Sequence, residues 1–202
     1  MVLFLHTTTQ MKKALLLGLI SLSAALILTS CASGNKINLV GNQISLPEIN
    51  RVIYLDPEID PDVEEIKDPT YFAFFSAVSD HMSSHYDRKF LRINNMMKYD
   101  SIDAQTLKEF CINNDSQLVI VPKVKYFKVG FGKYVFSNQV LVSLKMYDAE
   151  GNYIMETSYD TYRGKGRLVG NTENSVKIGT KNAMDLMDKG LKEFLRAYRK
   201  TS

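Results

Sequence analysis

Leu118-Val119-Ile120-Val121 is an unbroken apolar run in which three of four residues are β-branched. A run of this length without alternation suits a strand buried on both faces of a sheet. It follows a polar passage, Asn113-Asn114-Asp115-Ser116-Gln117, and continues through Val124 and Tyr126. Further on, Val140, Val142, Leu144 and Met146 recur at every second position, and so do Tyr153, Met155, Thr157, Tyr159 and Thr161. Period two argues for strands, and the turn residues Asp148 to Asn152 between the two sets join them as neighbours. The prediction is an antiparallel three-strand meander.

Toward the amino terminus the period changes. Asp103 is a predicted N-cap flanked by Ile102 and Leu107, the pair that forms a hydrophobic staple. Leu107, Phe110 and Cys111 then face inward, and Asn113-Asn114 closes the helix. Phe90-Leu91-Arg92-Ile93 reads as a strand. Tyr71, Phe74, Phe75, Val78 and Met82 form one apolar stripe at helical spacing, expected to open at Asp68-Pro69 and to end near Asp87-Arg88. Arg51 to Leu55 is the first predicted strand. Between it and that helix lies an acidic stretch, Asp56 to Asp68, which Pro57 and Pro61 are expected to hold as a solvated loop. A calcium site there fails the EF-hand template, because no glycine stands at its sixth position and Pro61 sits inside it. After Gly164, Gly166 and Gly170, a last helix runs from about Thr172 to Arg199, burying Val176, Ala183, Met187, Leu191, Phe194 and Tyr198. The expected fold is α/β: a single mixed sheet with the meander, two shorter helices and a long C-terminal helix.

The first thirty residues read differently. Met11-Lys12-Lys13 opens a run from Ala14 to Leu28 that carries no charge, and the chain turns polar at Ala32-Ser33-Gly34-Asn35-Lys36. Positive start, short apolar run and small residues make a secretory signal peptide over 1–30, with Met11 its natural start. Leu28-Thr29-Ser30-Cys31 resembles the lipobox of bacterial lipoproteins. The resemblance implies that Cys31 is acylated and becomes the first residue of the mature chain. With Ala32 and Ser33 following and no aspartate at 32, it implies the outer membrane, periplasm-facing; the inner membrane and the cell surface are the other placements. Residues 31–50 are then a lipidated tether that can lay a short strand on a single domain, 51–202. As a flexible coil the tether would span roughly 25 Å.

Removing 30 of 202 residues leaves 172, enough for one domain with a real core. Losing Lys12 and Lys13 from 25 basic residues leaves 23 against 22 acidic, a net of +1. That balance argues against a dedicated nucleic-acid binder, which needs a clustered basic surface. An acylated Cys31 leaves Cys111 without a disulfide partner, so the fold rests on its core.

A second resemblance covers roughly Arg51 to Arg199. The order of elements and the passage Asn113 to Val121 look like the TolB amino-terminal domain, CsgG and the LpoB-type periplasmic lipoprotein domains. Alanine or glycine is common in that group where this chain has Asn113 and Asn114. The resemblance implies a protein-binding domain that is not an enzyme.

No motif identifies a reaction. His81 and His85 have the i, i+4 spacing of helical metal ligands, but Met82 stands where a zinc protease needs its glutamate, and no cysteine pair completes a structural zinc site. Both read as packing histidines. Cys111 has no resolving cysteine and reads as a core residue. Gly164-Lys165-Gly166-Arg167 with Gly170 departs from the dinucleotide-binding pattern, since Val169 stands where the third glycine belongs. Neither metal nor cofactor is expected. The stretch Tyr126 to Phe136 stands out: five aromatics, lysines at 128 and 133, and Gly130 and Gly132 in its middle. A strand pair shows alternate faces, so part of this set is solvent-facing, and exposed aromatics rimmed by lysine suit an interface. Phe127, Phe131, Lys133, Tyr134 and Phe136 are the expected partner-binding residues. The function read from this is a lipid-anchored envelope docking module with an envelope protein as partner. The alternative is a small-ligand or lipid carrier.

Overall fold

The computed structural model describes residues 35–39, 48–84, 88–128, 136–163 and 171–201. Among these the elements run β1 (Asn35–Leu39), β2 (Arg51–Asp56), β3 (Glu58–Asp60), α1 (Glu64–Ser83), β4 (Lys89–Met96), α2 (Ala104–Asn114), β5 (Leu118–Lys128), β6 (Phe136–Asp148), β7 (Tyr153–Asp160) and α3 (Thr172–Thr201). They build one mixed sheet in the order β1-β7-β6-β5-β2-β4, with β3 paired to β5 off that path. β2 lies parallel to both β4 and β5, while β5, β6 and β7 form the antiparallel meander.

β5 is central because its residues feed two cores. Leu118, Ile120, Val124 and Tyr126 point to the face covered by α1 and α3, where they meet Phe74, Val78, Val176, Met187 and Leu191. Val119 and Val121 point to the other face and pack with Ile53, Leu55, Leu107, Cys111 and Tyr147. Both sets are buried, which is why the run shows no polar alternation. α3 makes its closest approach to the sheet at Gly179, where a β-carbon would lie 2.7 Å from Val142 Cγ2.

The local signals around α2 operate as expected. Asp103 accepts from the Gln105 backbone N–H at 3.1 Å and from the Thr106 hydroxyl at 2.6 Å, and Ile102 and Leu107 share one core cluster. The helix closes on Asp115 in the left-handed region, φ 50°.

The acidic stretch departs from its expectation. Residues 58–60 form β3, paired parallel to Lys123–Lys125, and Ile59 is buried. α1 begins at Glu64, not at Asp68-Pro69, and Pro69 sits inside it. A proline this near a helix start loses one backbone bond where few neighbours depend on it. Glu64 and Glu65 lie in the first turn, where the helix dipole favours them, and Lys67 bridges Asp62 and Glu64 at 2.9 and 2.7 Å. α1 also ends earlier than expected, at Ser83, where Ser84 turns back to donate its hydroxyl to the His81 carbonyl at 2.6 Å.

The segment after Cys31 is not all free chain. β1 pairs antiparallel with β7 along its whole length, from Asn35 opposite Tyr159 to Leu39 opposite Met155. Three residues, 32–34, separate Cys31 from β1 in the sequence.

Candidate functional site

The strand registers collect several features at one end of the sheet. Asn35, where the chain enters β1, lies opposite Tyr159. The next residue of β7, Asp160, lies opposite Leu141, which lies opposite Lys125, which lies opposite Asp60. β5 and β6 run on past this line, the last pair being Lys128 with Phe136. Thr172, opening α3, reaches Asn138 at 3.4 Å, so the helix start stands at the same end. Phe127 is half-buried here and Asn138 exposed. Of the expected partner-binding set, Phe127 and Phe136 are thus placed on adjoining strands, while Phe131, Lys133 and Tyr134 lie outside the described residues. So do Cys31 and the whole of 1–34, His85, and the glycine-rich stretch 164–170.

Two polar clusters lie away from this end. In the first, His81 is buried on the last turn of α1 and meets two acids from α3. Its Nε2 lies 2.8 Å from Asp188 Oδ2 and its Nδ1 lies 3.5 Å from Asp185 Oδ1, while Arg88 reaches Asp188 at 3.6 Å. Burial, and then the Asp188 charge, push the nearby Tyr54 phenol well above its ordinary value, against a smaller opposing effect of Arg88. The cluster ties α1, α3 and the entry to β4 together. Beside it a groove of about 360 Å³ opens between the two helices, lined by Asp80, His81, Lys177, Lys181 and Asp185 among others.

In the second cluster, on the opposite face, Tyr99 is the hub. Its backbone N–H donates to Glu58 at 2.6 Å, its hydroxyl donates to Glu156 at 2.7 Å, and its carbonyl accepts from Lys145 at 2.7 Å. The Lys145 ammonium also stands 4.1 Å from the Tyr99 ring centre, a cation–π distance. Lys123 bridges Glu58 and Asp100, each at 3.1 Å.

Sequence reasoning missed both clusters. Asp185 and Asp188 at i, i+3 on the polar side of the last helix were the one signal for the first; Tyr99 carried none. His81, expected to be a packing histidine, is buried and engaged by Asp188 and Asp185. Among the described residues no group of three or more His, Cys, Asp or Glu is arranged to hold a metal. Cys111 is buried under α2, and burial, helped by Asp148 and Glu150, pushes its thiol up to about 11. It packs as a small apolar group.

No protein-family model matches the sequence, and no curated protein matches it. Among solved structures the chain is similar to the PelC dodecamer from Paraburkholderia phytofirmans, at 11% identity and a TM-score of 0.44, over 74% of this chain and 95% of that one. It is also similar to a neuraminyllactose-binding hemagglutinin homolog from Helicobacter pylori, at 13% identity and 0.40, over 80% and 93%. Lipoprotein GNA1162 from Neisseria meningitidis matches at 12% identity and 0.34, over 60% and 90%. Likenesses of this size carry no statement about what this chain binds. No helix among the described residues is long and apolar enough to cross a membrane.

Proposed function

We propose that this chain is a lipid-anchored cell-envelope protein that works by docking onto another envelope component and catalyses no reaction. The observation that carries the reading is the pairing of β1 with β7 so soon after Cys31. From Asn35 on, β1 belongs to the sheet, so an acyl group on Cys31 would hold the domain itself at a surface. Confinement of that kind raises its effective concentration for any partner in the same membrane, and several acyl chains on one residue make a firm anchor. The buried polar groups support a structural role over a catalytic one. His81 is engaged by Asp185 and Asp188, and Tyr99 by Glu58 and Glu156.

The docking surface in this reading is the aromatic and lysine-bearing stretch from Phe127 to Phe136, meeting a membrane-embedded partner at the lipid surface. A photo-crosslinking residue at Tyr134 in the lipidated protein, irradiated in living cells, is expected to give a discrete crosslinked band that a probe at Glu193 does not. Absence of any such band refutes docking through this stretch. The groove beside His81 favours a second reading, a small-ligand carrier, because its volume falls within the range of ligand sites, roughly 300–1,000 Å³. Native mass spectrometry showing a stoichiometric bound molecule, lost on Lys181→Glu, would move that reading to first.

A further inference from the structure

The strand registers and the length of chain behind Cys31 together orient the domain. We infer that the end of the sheet from which β5 and β6 project lies in the headgroup layer of the membrane that holds the Cys31 acyl chains. The inference rests on the anchor reading above and specifies which surface meets the lipid. Four peptide units separate Cys31 from Asn35, and a fully extended chain covers at most about 14 Å over that length. Asn35 lies opposite Tyr159, and Tyr159 lies opposite Val142. From Val142, β6 extends six residues further toward the same end, to Phe136, which is about 20 Å at strand spacing. The roughly 20 Å from Val142 to Phe136 exceeds the roughly 14 Å that the chain between Cys31 and Asn35 can span. An upright domain cannot keep this end clear of the lipid.

The occupant is a lipid surface, and the described residues at this end suit one. Phe127 is half-buried, and a phenylalanine can present apolar surface at the headgroup and acyl boundary. Lys125 is half-exposed, 3.9 Å from Asp60, and a lysine stem can lie along apolar surface with its ammonium in water. The opposite end carries the β6–β7 turn, where Glu150 is exposed. Ten strand positions separate Asn138 from Asp148 at that turn, about 34 Å. The two ends are thus distinguishable by any short-range probe.

The test uses the full chain, expressed in a bacterium and purified in its processed form. Asn138→Cys and Glu150→Cys are each labelled with an environment-sensitive fluorophore, Cys111 being shielded by burial. The proteins are reconstituted into vesicles of phosphatidylethanolamine and phosphatidylglycerol that contain a headgroup spin-labelled lipid. Quenching at least threefold stronger at position 138 than at 150 is the expected result. Equal quenching, or stronger quenching at 150, overturns the orientation while leaving the anchor intact. A purified chain whose mass shows no acyl group on Cys31 overturns the anchor reading, and the orientation falls with it.

Discussion

Gly179→Ala puts a β-carbon where α3 touches the sheet, and its effect can be worked from three distances. The added carbon would stand 2.7 Å from Val142 Cγ2, 3.5 Å from Val142 Cβ and 3.4 Å from Thr161 Cγ2. Carbon pairs are comfortable at about 3.5–4.0 Å, so the nearest contact is short by roughly 1 Å. Val142 is fully buried and, being β-branched, has little freedom to rotate away. Overpacking of this kind costs about 1–3 kcal/mol. The same change removes a mid-helix glycine, which returns about 0.5–1 kcal/mol. The net expectation is a loss of roughly 0.5–2 kcal/mol, read from urea unfolding of the chain from Ala32 onward. Val142→Ala supplies the control. In that background the clash is gone and the helix gain remains, so Ala at 179 should become neutral or stabilising. Two results refute the reasoning: Gly179→Ala stabilising the otherwise unchanged protein, or costing the same in both backgrounds.

Gly151→Ala should be worse tolerated than an ordinary turn substitution, because φ is +81° and the new carbon would meet the Ala104 carbonyl oxygen at 2.5 Å; a loss of at least ~1 kcal/mol is expected by thermal or urea unfolding. Alkaline pH should unfold the domain through its tyrosines. Burial pushes Tyr147 and Tyr153 up to about 12, and Tyr54 and Tyr99 also upward. Above the unfolded phenol value of about 10 the unfolded chain releases protons that the folded state keeps, so stability falls from pH 10 toward 12. Tyr99→Phe, lacking one of these protons, should shallow that slope in melting temperature against pH. Cys111, raised to about 11 by burial, should resist a thiol reagent at pH 8 in the native protein and react fully in denaturant; equal rates in both would contradict the buried assignment.

Elements governed by local rules were legible in the sequence. The run Leu118 to Val121 announced a two-faced strand because burial on both sides leaves no polar position to show. Alternation from Val140 to Met146 announced its neighbour, since residues two apart share a face. Asp103 with Ile102 and Leu107 announced α2, because a cap is a bond between residues two or three apart. The rule failed where proline was read as a stop. β3 rests on pairing with β5, which is no property of the local segment, while the early start of α1 rests on the Lys67 bridge to Asp62 and Glu64, a local pattern that the proline reading overrode.

The sequence by itself therefore determined the fold class, the meander and the lipobox-like start, each written in residues close together along the chain. Tertiary structure decided what no local pattern carries. It joined β1 to β7 across more than a hundred residues. It set His81 between Asp185 and Asp188, and it made Tyr99 the hub of a lysine and glutamate network. It also set Asn35, the first residue of β1, on the side of the sheet toward which β5 and β6 project. The physical reason is common to all of these: partners distant in sequence are selected by packing and register, which exist only once the sheet has formed.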